Sequence, residues 1–523
     1  MKSPILVSAD EAVKNIKSED TVCIGGAGAG HAVPDALLKA LGTRFEKTLG
    51  PKNLTIIHPC GIGDNGKRGL NHIAIEGLIK KDIGGFWGNA PSMVKLAREG
   101  KIEGYNFPQG VLSHLMRATA AGESGVLTKT GLHTFVDPRD QGGKVNDITL
   151  EDMVSHVTIN GEDFLFFKTL PIDVAFIRGS TVDAEGNLTM EGEVGTYAML
   201  SMAQAAKVNG GIVIAQVKEI RSKSYALPER VKVPGILIDY VVEEPKQSMT
   251  FLTVDEPAFI SRDAPYSENS LSLEGIKKIV CRRAAFEIKK NDFINLGYGM
   301  ADGVPIVAKK EGLLKDITFL IEQGPIGGVI STGLNFGAMY NPSAIVDDGY
   351  QFDLFHGGGL TTCFLGFGQV DEHGNVNSSR FANIFTGCGG FIDISQHTKN
   401  VIFCGSFATK TSVDCNNGLL KLNNKGRFKK FIKTVEQITF SGRYAIQKEQ
   451  RVLYVTERAV FELTKKGLNL IEIAPGVDLQ KDILDMMEFR PIISSNLKTM
   501  HPKIFENGIL GLKDAFYLER NEK

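Results

Sequence analysis

Glu322 closes the apolar run Asp316-Ile317-Thr318-Phe319-Leu320-Ile321 and is followed at once by Gln323-Gly324-Pro325-Ile326-Gly327-Gly328. A carboxylate at the tip of a buried strand, facing a Gly-rich turn, stands where α/β proteins place chemistry. The glycines let a substrate or another stretch of backbone come close to it. Such a group can be a nucleophile or only a solvated strand end, and the residues alone leave both open. A second feature bears on the choice. Thr386-Gly387-Cys388-Gly389-Gly390-Phe391 offers consecutive backbone N–H groups that can point at a developing oxyanion. Each such donor is worth roughly 3–4 kcal/mol of barrier.

Other chemistry-bearing residues favour plainer readings. His356, before Gly357-Gly358-Gly359, has no second His or carboxylate at metal spacing and reads as a loop histidine. Cys388 has small apolar neighbours and no Cys-His motif, which suits a buried inert thiol. The lone Trp87 reads as a packing anchor. Gly26-Ala27-Gly28 and Gly297-Tyr298-Gly299 begin like dinucleotide fingerprints, but His31 and Asp302 stand where the third glycine is needed. These turns, followed by Pro34 and Pro305, still suit phosphate or close backbone approach at a helix start.

Strand-like and helix-like segments alternate, which predicts α/β architecture. For example, Asn53-Leu54-Thr55-Ile56-Ile57 leads through a Gly-rich turn to a helical stretch expected over 71–81. Three collinear matches then join the two halves. Cys23 to Pro34 resembles Ile294 to Pro305, Leu54 to Gly61 resembles Ile317 to Gly324, and Asp183 to Leu188 resembles Asp371 to Val376. This is a duplicated domain rather than a solenoid of short periods. The last pair, Asp-x-x-Gly-Asn, reads as tight turns between strands. The N-terminal copy is 75 residues longer between the second and third matches, an insertion that includes Tyr105 to Lys144. The polar region 243–270, with Pro245, Pro257 and Pro265, reads as a linker between domains at 1–242 and 271–523. In the N-terminal copy, Pro59 holds the position of Glu322, so only one half carries the carboxylate.

Bulk properties narrow the function classes. A chain of 523 residues exceeds what one core supports. Its formal net charge of −1 gives no sign of a nucleic-acid or membrane-surface protein. Apolar runs such as Gly211 to Ala215 are strand-sized, and the start Met1-Lys2-Ser3-Pro4 lacks the pattern of a signal peptide. Seven scattered cysteines without a CxxC pair point to a reducing, cytoplasmic setting and to no zinc site.

The chain as a whole resembles the family I coenzyme A transferases, in particular the single-chain acetate/propionate CoA-transferases. The resemblance runs nearly end to end, through Tyr105-Asn106-Phe107-Pro108-Gln109-Gly110 with His114, Thr134 to Arg139, Lys144-Val145-Asn146-Asp147, Gln351-Phe352-Asp353, His356 to Leu360, Gly389 to Ile392 and Glu472 to Gly476. It implies two α/β domains fused from ancestral subunits, with the active site between them. It also implies that Glu322, in an E-x-G-x-x-G-G pattern completed by Gly324, Gly327 and Gly328, is the nucleophile. Gln323 and Pro325 stand where close relatives more often have small residues. By the same resemblance Gly389 and Gly390 supply the oxyanion donors. A CoA-contacting loop falls on Gly297, Tyr298, Gly299, Met300 and Ala301, a basic residue falls near Lys410, and Gln109 lines the acyl pocket.

The implied chemistry is ping-pong covalent transfer of CoA between a short-chain acyl-CoA and a free carboxylate, with neither metal nor permanently bound cofactor. Coenzyme A enters as a substrate, acetate and propionate are the expected acids, and relatives suggest a homo-oligomer, dimer or tetramer. Two alternatives use other chemistry. One is an acyl-CoA hydrolase on the same scaffold, in which water intercepts the glutamyl thioester. The other is a non-catalytic sensor of acyl-CoA or sugar phosphate, which has no need of a carboxylate at position 322.

Overall fold

A computed structural model describes residues 4–223, 227–267, 273–382 and 384–514. Two large sheets organise the chain. In the first, the strands Tyr240–Glu243, Ile212–Ile220, Val174–Val182, Thr21–Ile24, Leu54–His58, Ile79–Gly84 and Glu103–Asn106 lie side by side and parallel. In the second, Thr318–Phe319, Phe293–Leu296, Thr362–Gly366, Asn400–Cys404 and Arg451–Val455 are parallel, and three further strands from Ala459 to Thr499 extend the far edge.

The duplication expected from the three matches is visible in the strand order. Leu54–His58, Thr21–Ile24, Val174–Val182, Ile212–Ile220 and Tyr240–Glu243 run in the same order as Thr318–Phe319, Phe293–Leu296, Thr362–Gly366, Asn400–Cys404 and Arg451–Val455. Both sheets are covered on both faces, as parallel sheets must be. Side-chain alternation shows it. Val22 and Ile24 join one core cluster and Cys23 another, while Phe364 is separated in the same way from Cys363 and Leu365. The two Asp-x-x-Gly-Asn segments are tight turns between antiparallel strands, and in each the Asp carboxylate accepts N–H bonds from residues two and four positions on.

Helices pack where the pattern allows. The helix Asp35–Thr48 follows Pro34, buries Leu37, Leu38, Leu41 and Phe45, and stops at Leu49, whose left-handed backbone donates its N–H to the Phe45 carbonyl. The helix expected over 71–81 does not form. Leu70–His72 makes one tight turn and Ile79–Gly84 is a strand. Gly77, at φ +87°, interrupts any helix there, and the open edge of Leu54–His58 takes Ile79–Gly84 as its next strand.

The extra residues of the N-terminal copy have a clear destination. They build the two edge strands Ile79–Gly84 and Glu103–Asn106, the helix Gln109–Ala120, and a three-stranded antiparallel sheet of Gly125–Thr128, Val154–Ile159 and Glu162–Lys168. Tyr105 and Lys144 form a bridge to each other, so this segment returns to its starting point. The described part of the expected linker, 243–267, packs against the rest of the chain. Ala258 and Phe259 are buried, Phe251 donates its N–H to the Ala29 carbonyl at 2.7 Å, and Tyr266 stacks on Tyr340 at 4.4 Å. Residues 268–272 and 515–523, at the ends of the expected linker and second domain, lie outside the described residues.

Candidate active site

Glu322 follows the strand Thr318–Phe319 and faces a cavity of about 570 Å³ whose walls come from both halves of the chain. The turn is tight because Gly324, at φ +113°, lets its backbone pass where a Cβ would meet the Val346 carbonyl at 2.1 Å. The carboxylate is 8% exposed. Its Oε2 accepts from Asn295 Nδ2 at 3.4 Å and its Oε1 from Gln323 Nε2 at 3.2 Å. Neither donor is charged. Burial therefore dominates and pushes the carboxyl up to about 7, with a smaller upward contribution from the Asp393 charge.

The glycine loop lies against it. A Cβ on Gly390 would stand 3.4 Å from Glu322 Cγ. The loop is held by the N-terminal half. Gly389 donates its N–H to the Gly85 carbonyl at 2.8 Å, Cys388 N–H reaches Asn106 Oδ1 at 2.9 Å, and the Gly389 carbonyl accepts from Gln109 N–H at 3.0 Å. This corrects one expectation. The Gly389 N–H is committed to Gly85, whereas the Gly390 N–H has no partner among the described residues. Of the two glycines, Gly390 alone keeps an unpaired backbone N–H among the described residues.

The remaining expected residues divide. Gln109 heads the helix Gln109–Ala120 and lines the cavity, and its Nε2 is enclosed without a partner. Gly297, Tyr298 and Met300 line it as well, with Tyr298 exposed at the rim and edge-on to Phe336. Gly299 makes the turn at φ +101° and Ala301 is buried behind it, so neither reaches the wall. Lys410 is a second correction. It sits in a left-handed turn before the strand Ser412–Asn416 and is not among the residues that line the cavity. The basic group on the wall is Lys430, whose Nζ donates to the Phe367 carbonyl at 3.0 Å and lies 4.9 Å from the Phe367 ring centre. Burial holds its amine down to about 8.

Three bystanders of the sequence reading can be located. Trp87 is buried, packed edge-on to Phe385. Cys388 is enclosed, and burial pushes its thiol well above the ordinary range, so it is a poor nucleophile. His356 is not in a loop. It ends the helix Asp348–His356, and its Nε2 pairs with Asp393 Oδ1 at 2.8 Å. Among the described residues no cluster of three or more His, Cys, Asp or Glu could hold a metal ion, and no helix is long and apolar enough to cross a membrane.

Sequence reasoning missed Asn106, Asn295 and Lys430. Asn106 stands in the motif Tyr105-Asn106-Phe107-Pro108-Gln109-Gly110, but nothing local ties it to Cys388. Chemically, the site combines a poorly solvated carboxylate, one free backbone donor beside it and an open apolar cavity. That suits attack on an acyl carbon with a stabilised oxyanion.

Comparison with known proteins places the whole chain in one family. Residues 6–244 match the family model for coenzyme A transferase. Acetate CoA-transferase YdiF of Escherichia coli strain K12 is 45% identical over 511 residues, covering 97% of this chain and 96% of that protein. Caffeate CoA-transferase of Acetobacterium woodii is 43% identical over 516 residues, covering 97% and 98%. Among solved structures, the E. coli O157:H7 acyl-CoA transferase YdiF, in a thioester complex with CoA, aligns with a TM-score of 0.93 at 43% identity, over 98% of this chain and 97% of that one.

Proposed function

Since this chain belongs to the coenzyme A transferase family and is an enzyme of that class, we propose that it moves CoA between a short-chain acyl-CoA and a free short-chain carboxylate, with Glu322 as covalent nucleophile. The observation that carries this is the Glu322 carboxylate itself, enclosed in a cavity between the halves and bonded only to neutral amides. The Glu322 carboxylate attacks the thioester carbonyl, giving an acyl-glutamyl anhydride and CoA thiolate. The thiolate attacks the glutamyl carbonyl and expels the original acid, leaving a glutamyl-CoA thioester. An acceptor carboxylate then reverses the sequence. No net proton transfer is needed.

The Gly390 N–H stabilises each tetrahedral oxyanion, and Gly297, Tyr298, Met300 and Lys430 face the CoA. Coenzyme A enters as the thioester of one acid and leaves as the thioester of the other, which returns Glu322 to its free carboxylate. Acetate and propionate are the preferred acids in this reading, in keeping with the acetate-named relative. The halves 1–242 and 271–523 act as the two domains, and the chain works as a homo-oligomer, which light scattering would test. Intact-mass analysis after incubation with acetyl-CoA provides the decisive experiment. A CoA adduct mapped to Glu322 is the expected result, and its absence overturns the covalent mechanism. Release of free CoA without an acceptor acid would instead favour hydrolysis.

A further inference from the structure

Asp393 lies one turn into the short helix Phe391–Ser395, which starts directly after Gly390. It is fully buried, and three elements meet on it. His356, at the end of the helix Asp348–His356, pairs with Oδ1 at 2.8 Å. Gly110, on the insertion helix, comes so close that a Cβ there would stand 2.7 Å from Oδ1 and 2.6 Å from the Phe352 ring. The third element is the helix of Asp393 itself, whose Ile394 N–H is bound by the Gly390 carbonyl at 3.0 Å. The other carboxylate oxygen, Oδ2, is enclosed with no partner. A buried carboxylate with half its acceptors unused is costly unless something requires it there. His356 is the only hydrogen-bonding side chain recorded on it among the described residues.

We propose that His356 and Asp393 are positioning residues for the transfer: the imidazole fixes the Asp393 carboxylate, and this pair sets both the orientation of the Gly390 N–H and the charge that faces Glu322. The proposal rests on the reading of Glu322 as nucleophile. Two consequences follow from the geometry. Anchoring Asp393 fixes the first turn of the helix, and hence the direction of the N–H that must meet the oxyanion. The negative charge of Asp393 also acts on Glu322, adding to the upward push of burial on that carboxyl, and a hydrogen bond from the imidazole to Asp393 weakens that effect.

The surrounding charged groups are already engaged. His114 stands edge-on to His356 at 5.1 Å, with its Nε2 3.0 Å from Asp353, which also pairs with Arg117. His397, 5.3 Å on the other side, bonds to Thr130, and burial, His356, Lys448 and Lys129 together hold its imidazole down at about 3. Asp348, on the His356 helix, accepts from Ser113 and is pushed up to about 7 by burial and Asp347. The thiols Cys388 and Cys60 face Asp393 and Glu322 respectively, and burial pushes both above the ordinary range.

The experiment follows formation of the CoA adduct from acetyl-CoA against pH, by rapid quench and intact mass, in the full-length protein. Asp393→Asn keeps an acceptor for His356 but removes the charge, so the acid limb should move down by about one pH unit. His356→Leu leaves the buried carboxylate bare, so the limb should move up by about one unit and the rate at pH 7 should fall about fivefold. His356→Gln, which retains an N–H, should recover most of that loss. Unchanged limbs, or limbs that move together, overturn the proposal. If Asp393→Asn does not fold, as reported by the fluorescence of Trp87, the two His356 variants decide alone, and equal rates for Leu and Gln overturn it. Failure of the wild-type protein to form any adduct is a different outcome, which removes the Glu322 reading on which the pair depends.

Discussion

Two equivalent strand tips behave differently. Leu54–His58 ends in Pro59-Cys60, and Thr318–Phe319 ends, after Ile321, in Glu322-Gln323. The same parallel strand order leads to both, so the backbone frame does not distinguish them. What differs is the job each half takes on. The C-terminal half carries the carboxylate and the glycine loop. The N-terminal half, through Gly85, Asn106 and Gln109, grips that loop by hydrogen bonds to its backbone. Duplication supplied two frames, and side-chain substitution at one tip together with an insertion in the other made them complementary.

Breaking the catalytic side should have the largest effect. Glu322→Gln is expected to lose transferase turnover by roughly 10⁴-fold or more while still folding. Near wild-type turnover in that variant would mean that the carboxylate tip does not separate the halves. Damage to the gripping side should cost less. Asn106→Ala removes the acceptor for the Cys388 N–H and the donor to the Gly84 and Gly85 carbonyls. Its kcat should fall about 10²-fold with KM for acyl-CoA little changed, because the oxyanion donor is displaced rather than lost. A KM effect without a kcat effect would show that Asn106 serves binding alone.

Stability sharpens the contrast, since Pro59 carries no charge to bury. The folded-state carboxyl of Glu322 sits near 7, above its ordinary 4.5. Below pH 4.5 it is neutral folded or unfolded, and its burial costs little on this account. As pH rises from 4.5 to 7 the unfolded chain ionises first and stability is lost, with the full loss present above 7. Glu322→Gln should therefore be more stable than wild type by about 3 kcal/mol at pH 8 and equal to it near pH 4. Chemical denaturation at the two pH values checks the sign. The smallest effect is expected at the cavity rim. Lys430→Met should raise KM for acyl-CoA about fivefold at pH 7, a difference that fades as pH rises through about 8 and the wild-type amine loses its charge. Lys410→Met should leave KM within about twofold, and a larger change would return Lys410 to the site.

Much of the frame was legible before any coordinates. Strand-sized apolar runs, Gly-rich tips and three collinear matches pointed to a duplicated α/β fold, because side-chain period and turn chemistry are local properties. The segment 71–81 was misread because its apolar residues suit helix and strand alike. The open edge of Leu54–His58, distant in sequence from nothing but invisible to a local pattern, settled the matter. Lys430 went unnoticed, and Lys410 was named from the resemblance, for the same kind of reason. Distance along the chain from Gly390 says little about which lysine a set of intervening strands returns to the cavity.

By itself the sequence determined which groups could react. It singled out one carboxylate at one strand tip, a glycine loop able to expose N–H groups, and the absence of that carboxylate from the other copy. Tertiary structure decided which of those groups are available. It committed the Gly389 N–H to Gly85 and left that of Gly390 free, put Lys430 rather than Lys410 on the cavity wall, and brought Asn106 to the loop and His356 to Asp393. The physical reason is that reactivity here depends on burial and on which donors are already used. Both quantities are set by contacts between residues hundreds of positions apart.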